Sequence, residues 1–181
     1  EFVIGACGKA LGSITDNSSL LKKTYVSKFM FPLAKITSSL VDCLFSLGAF
    51  LIVIIFTRSP FYWTMLLFPF IFLQAYIFAC GLGFFLAQLH VFFRDTRYIW
   101  NAVTTAWMYC SAIFYPIDML PDWLKLLLNY FNPLYVYIKQ FRCIAHQGVM
   151  PDLTTIGLGF LYAFFFFGLG VLCFKKNQDK F

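Results

Sequence analysis

Ser111-Ala-Ile-Phe-Tyr-Pro-Ile-Asp-Met-Leu-Pro-Asp-Trp-Leu-Lys-Leu-Leu-Leu-Asn-Tyr-Phe-Asn-Pro-Leu-Tyr135 is apolar enough for a membrane and interrupted too often to cross one. Pro116, Pro121 and Pro133 divide it. Pro121 suits a first helical turn, where a missing amide hydrogen costs nothing. Asn132-Pro133 ends the helix before it, because a residue preceding proline is driven out of the helical region. Between these breaks Leu120, Trp123, Leu124, Leu127, Leu128 and Phe131 follow the i, i+3, i+4 rhythm of one helical face. Such a helix covers roughly 16 Å, about half of a hydrocarbon core. The rhythm restarts in Leu134, Tyr137, Ile138, Phe141, Ile144 and Ala145, with Lys139, Gln140, Arg142 and His146 turned elsewhere. Two half-length helices in tandem are predicted over residues 117–147. Backbone broken at membrane depth is tolerated only under protein or beside a water-filled cavity, so the pair is either a re-entrant element or a loop lying on lipid.

Composition sets the class. With 61% hydrophobic residues, 25 phenylalanines, 12% charged residues and a mean hydropathy of +0.77, the chain lies far from soluble domains. An all-α, polytopic membrane bundle is expected, in one transmembrane domain over residues 1–181. The net charge of +6 comes from basic loops and is no argument for nucleic acid. Six scattered cysteines form no CxxC pair and no cluster with histidine, so no metal or redox motif is present.

Outward from the broken stretch, crossings are predicted at residues 36–56, 65–91, 98–115 and 154–174. Residues 2–14 read as the tail of a further span whose front lies before this chain; Gly5, Gly8 and Gly12 give close helix contact there, while Lys9 counts against that assignment. Residues 17–31 predict a short surface helix kept out of the membrane by Lys22, Lys23 and Lys28 and ended at or near Pro32. Asp42 falls inside a span, with Ser38, Ser39 and Ser46 one turn away in a small polar strip. A lone carboxylate there must face the protein interior, a cavity or a partner. Substrate or proton handling and a satisfied packing contact are both open to it.

Placing the C-terminus in the cytoplasm puts nine basic residues inside (Lys22, Lys23, Lys28, Lys35, Arg94, Arg97, Lys175, Lys176, Lys180) against Arg58, Lys125, Lys139 and Arg142 outside. The broken helices then lie on the outer side. There is no phosphate loop, HExxH or GxSxG pattern. Asp118 with Asp122 is the one candidate for membrane-enzyme chemistry, and both also fit helix-start positions favoured by the dipole. The turn Phe93-Arg-Asp-Thr-Arg97 can be braced by an Arg–Asp pair.

The run Phe92-Phe-Arg-Asp-Thr-Arg-Tyr98, followed by Ser111-Ala-Ile-Phe-Tyr-Pro116, Met119-Leu-Pro-Asp-Trp-Leu124 and Asn132-Pro-Leu134, resembles the permease subunits of type-2 ABC exporters of the polysaccharide branch, which export O-antigen, capsular polysaccharide or teichoic acid. The resemblance implies six transmembrane helices, of which this chain carries the end of the second through the sixth. It implies a bacterial inner-membrane location, a homodimer and two separate ATPase subunits that bind ATP and Mg, with no cofactor on this chain and a lipid-linked glycan as cargo. Residues 17–31 would be the coupling helix, touching the ATPase through Leu21, Lys22, Lys23 and Tyr25. Phe93, Arg94 and Asp95 would form a second contact. Residues 117–147 would be gate helices, with Tyr115, Pro116, Trp123, Tyr130, Pro133, Tyr135 and Tyr137 along the path and Lys125, Lys139 and Arg142 near its phosphate. A drug or small-lipid exporter would share this architecture; a membrane enzyme of envelope assembly is the more distant alternative.

Overall fold

The computed structural model describes residues 1–17, 27–57, 62–112 and 120–177. Among them every regular element is helical: α1 (Phe2–Leu11), α2 (Ser13–Asp16), α3 (Met30–Thr57), a 3-10 turn (Trp63–Leu67) running into α4 (Phe68–Phe92), α5 (Thr96–Cys110), α6 (Asp122–Phe131), α7 (Pro133–Arg142), a π turn (Cys143–Gln147) and α8 (Leu153–Asn177). Among the described residues three segments are long and apolar enough to cross a membrane: Met30–Thr57, Trp63–Phe92 and Leu153–Asn177. At 28 residues, α3 extends about 42 Å, more than a bilayer core.

Two boundaries differ from expectation. Pro32 does not stop a helix: it sits in the first turn of α3, where proline needs no hydrogen-bond acceptor. The expected span over residues 98–115 appears as the 15-residue α5, about 22 Å long and by itself too short to cross. Its helix ends as Ala112 adopts a left-handed conformation, φ 49°, the one non-glycine residue described with positive φ.

The core lies around α4, which is walled by α1 and α3 on one side and α8 on another. Small residues decide this. A Cβ on Gly81 would strike the backbone of Phe166 and Phe167, and one on Gly170 would strike the Gly81 carbonyl, so α4 and α8 touch backbone to backbone. Aromatic rings fill the remaining depth: Phe29 stacks on Phe84 at 4.1 Å and Phe78 meets Phe166 edge-on at 5.0 Å. One end of the bundle gathers Lys35, Arg94, Arg97, Lys175 and Lys176, and the other carries α6 and α7.

Candidate functional site

The helical pair at the second end is built on Asn132. As the residue before Pro133 it leaves the helical region, at φ −102° and ψ 101°, and ends α6. As the N-cap of α7 its side-chain oxygen accepts from the Tyr135 amide at 3.3 Å and from the Trp107 indole at 3.0 Å. Its amide nitrogen donates to the Cys110 carbonyl and to the Ser111 hydroxyl, both at 3.2 Å. One side chain therefore pins the end of α5 to the α6–α7 corner, using both donors and the acceptor.

Helix α7 is lodged in protein. Phe141 stacks on Phe68 at 5.0 Å, Tyr137 donates to the Gly159 carbonyl at 2.9 Å and Gln140 donates to the Thr155 carbonyl at 3.0 Å. Gln140, expected off the apolar face of its helix, is fully buried, as is Gln74 beside it. The face rule missed Gln140 because α7 is covered on more than one side. The signal available in the sequence was that Gln74 and Gln140 both interrupt apolar surroundings. Both carboxamide atoms of Gln74 and the Gln140 oxygen have no partner among the described residues. Gly159 makes room for the two amides; a Cβ there would press into both. Past the π turn, Gly148 turns the chain at φ 63°, against the Tyr62 ring.

By contrast α6 buries Leu128 and exposes Trp123, Leu127, Tyr130 and Phe131. The four described aromatics of the five expected along the path thus divide. Trp123 and Tyr130 offer open ring surface at 66% and 52% exposure, whereas Tyr135 and Tyr137, each 6% exposed, are packed inside the protein. Tyr162 ties α8 to α6 through the Tyr130 carbonyl. Of the expected cations, Lys125 pairs with Asp122 at 3.2 Å in the first turn of α6, which gives that aspartate a helix-start role. Lys139 donates to Asn129 and Arg142 to the Ala112 carbonyl. Lys139 and Arg142 share the wall of a recess of about 400 Å³ with Tyr135, Asp152 and Thr155. Tyr115, Pro116 and Asp118 lie outside the described residues.

Asp42 does not face the interior of the chain. It accepts from Lys9 at 2.6 Å on the surface between α1 and α3, with 62% of its side chain exposed and 48% of that of Lys9. The lysine that spoke against α1 as a span and the carboxylate that strained α3 answer one another. Each alone at mid-span would cost about 2.5–3.5 kcal/mol on insertion scales.

At the basic end, Phe93, Arg94 and Asp95 are exposed and shape a recess of about 590 Å³ with Leu89, Thr96 and Ile99. The expected Arg–Asp brace within this turn is replaced by a longer one: Arg97 reaches Asp16 of α2 at 3.9 Å. That contact sets the start of the 17–31 segment beside the 93–97 turn. Leu21, Lys22, Lys23 and Tyr25 lie outside the described residues.

A bundle of long apolar helices, with a half-length pair at one end and basic turns at the other, is the fold of a polytopic membrane protein. The chain belongs to the ABC-2 type transporter family, which it matches over residues 3–146. It is 25% identical over 151 residues to the O-antigen export system permease protein RfbA of Myxococcus xanthus, covering 82% of this chain and 58% of that protein. It is 24% identical over 186 residues to a protein of the same name from Klebsiella pneumoniae, covering all of this chain and 70% of that protein.

Proposed function

We propose that this chain is the membrane permease of a bacterial exporter that moves a lipid-linked polysaccharide outward across the inner membrane. A separate pair of ATPase subunits, which hold ATP and Mg, powers it, and a second copy of the permease completes the path. The observation that carries this reading is the α6–α7 pair: two half-length helices joined at Asn132-Pro133, one lodged in the bundle and the other displaying Trp123 and Tyr130. The names of the relatives support a glycan cargo.

In this mechanism the C-terminus is cytoplasmic and ATP binding draws the ATPases together. Residues 17–31, with Leu21, Lys22, Lys23 and Tyr25, pass the movement to α1 and α3. Phe93, Arg94 and Asp95 give a second footing, aided by the Arg97–Asp16 contact. At the outer end α6 moves about the Asn132 corner while α7 stays anchored. Trp123 and Tyr130 stack on sugar rings, and the recess of Lys139 and Arg142 meets phosphate.

The test is co-expression of the full-length permease with the ATPase encoded beside it. Purification is followed by ATP turnover in nanodiscs with lipid-linked oligosaccharide. Failure to recruit an ATPase would sink the transporter reading, and stimulation by small amphiphiles but not by the oligosaccharide would reassign the cargo.

A further inference from the structure

Three atoms of one cluster, Nε2 and Oε1 of Gln74 and Oε1 of Gln140, are closed off from every surface and have no hydrogen-bond partner among the described residues. Both side chains are fully buried. Further chain, a second copy or lipid would add cover to the bundle without reaching these atoms. An unpaired carboxamide in such a place costs stability, so two of them side by side call for a reason.

Gly159 brings the two together. Gln74 Oε1 and Gln140 Nε2 each lie within 3.0 Å of the point where a Cβ on Gly159 would stand, yet the Gln74 oxygen accepts no bond. The Gln140 amide is turned instead to the Thr155 carbonyl, at 3.0 Å. Within α8 that carbonyl also serves the Gly159 amide, so it stays satisfied without Gln140. Turned face to face, the carboxamides would exchange two hydrogen bonds: Gln140 Nε2 to Gln74 Oε1, and Gln74 Nε2 to Gln140 Oε1. All three orphaned atoms would then be paired at the loss of one bond. A helix shift of about 1–2 Å, of the size seen where packed helices move, brings such neighbours into range.

The anchors around the cluster single out the part that moves. Helix α7 is fixed to α4 by rings, Phe141 on Phe68 and Tyr137 against Phe78 at 5.8 Å. Helix α8 is fixed to α4 where Gly81 meets Gly170, and to α7 by the Tyr137–Gly159 bond. Ahead of Gly159, the first turn of α8 is tied to α7 through Gln140 and Thr155. Thr155 also lines the recess of Lys139 and Arg142.

We propose that Gln140 is a two-position latch: its amide holds the first turn of α8 through Thr155 in one state of the transporter and pairs with Gln74 in the other, freeing that turn to rock about the Tyr137–Gly159 bond. Gln74 is unpaired here because its partner is made in the second state. The exchange keeps a buried donor bonded throughout and brings the two packings closer in free energy than an apolar residue at position 74 would. Release of Thr155 reshapes the recess of Lys139 and Arg142. The latch rests on the transport reading for the movement that drives it, and it is independent of the cargo.

The complete transporter, permease with its ATPase, is placed in nanodiscs with its glutamines labelled with carbon-13 at Cδ and nitrogen-15 at Nε2. Solid-state NMR spectra are compared without nucleotide and with ATP and vanadate. The two side-chain signals are assigned by their loss in Gln74→Leu and Gln140→Leu. A through-space contact between the Gln74 and Gln140 carboxamides is expected in one condition and not in the other. A contact in neither condition, or an equal contact in both, overturns the latch. ATP turnover supplies a readout that a packing role would not move. Gln74→Leu is expected to lower turnover by about fivefold or more without lowering the thermal midpoint, and to have no such effect where Gln140 is already Leu. A smaller loss, a lowered midpoint or the same loss in both backgrounds overturns the latch and leaves the transport reading standing. If the permease recruits no ATPase, the transport reading falls and the latch with it.

Discussion

Two polar constellations share this apolar bundle and obey opposite rules. Gln74, Gln140, Tyr137 and Asn132 are neutral and buried, and they act between helices α4, α5, α7 and α8. Lys9 and Asp42 are charged, exposed and tied mainly to each other. The first set is buried in protein, and Asn132, Tyr137 and Gln140 donate to backbone carbonyls of α5 and α8. The second could not be shielded in the same way without stripping water from two full charges. Neutral polar groups therefore join the α6–α7 pair to the bundle, and the charged pair stays on the surface between α1 and α3.

The largest test of this division is Asn132→Ala. The Trp107 indole and the Tyr135 amide lose their acceptor, so stability should drop by about 2–4 kcal/mol, with thermal unfolding in detergent several degrees lower. An unchanged midpoint would remove Asn132 as the pin of the α6–α7 corner. Gly159→Leu comes next, since its side chain must push aside both buried carboxamides; a loss of about 1–3 kcal/mol is expected by the same measurement. Gln74→Leu should be neutral or stabilising by about 1 kcal/mol, because it removes two unpaired atoms at nearly constant volume. A lowered midpoint would mean that Gln74 has a partner needed for the fold. The smallest effect belongs to the basic end: Arg97→Ala breaks a 3.9 Å exposed pair with Asp16 and should cost no more than about 0.5 kcal/mol. A greater cost would give that pair a structural role.

Much of the site was legible at the level of segments. Asn132-Pro133 announced the break because proline constrains its predecessor whatever surrounds it, and α6 runs between the breaks at Pro121 and Pro133 while α7 starts at Pro133. Side-chain roles were less legible. Periodicity turned Gln140 off the apolar face, yet α7 is enclosed by α4 and α8. It grouped Tyr135 and Tyr137 with Trp123 and Tyr130, although the first two point into protein. Pro32 was ambiguous because a proline marks a helix start as readily as an end.

The amino-acid sequence by itself determined that this chain lives in a membrane, where its helices break and which ends are basic. Those properties follow from hydropathy, proline geometry and charge, which act locally or simply add along the chain. Only the tertiary structure decided that Lys9 answers Asp42, that Asn132 ties α5 to the α6–α7 corner, and that Gly81 and Gly170 bring α4 and α8 into backbone contact. Each of these joins residues more than twenty positions apart. In lipid, where apolar surface alone does not pull one helix against another, such contacts rest on shape and hydrogen bonding rather than on any pattern along the chain.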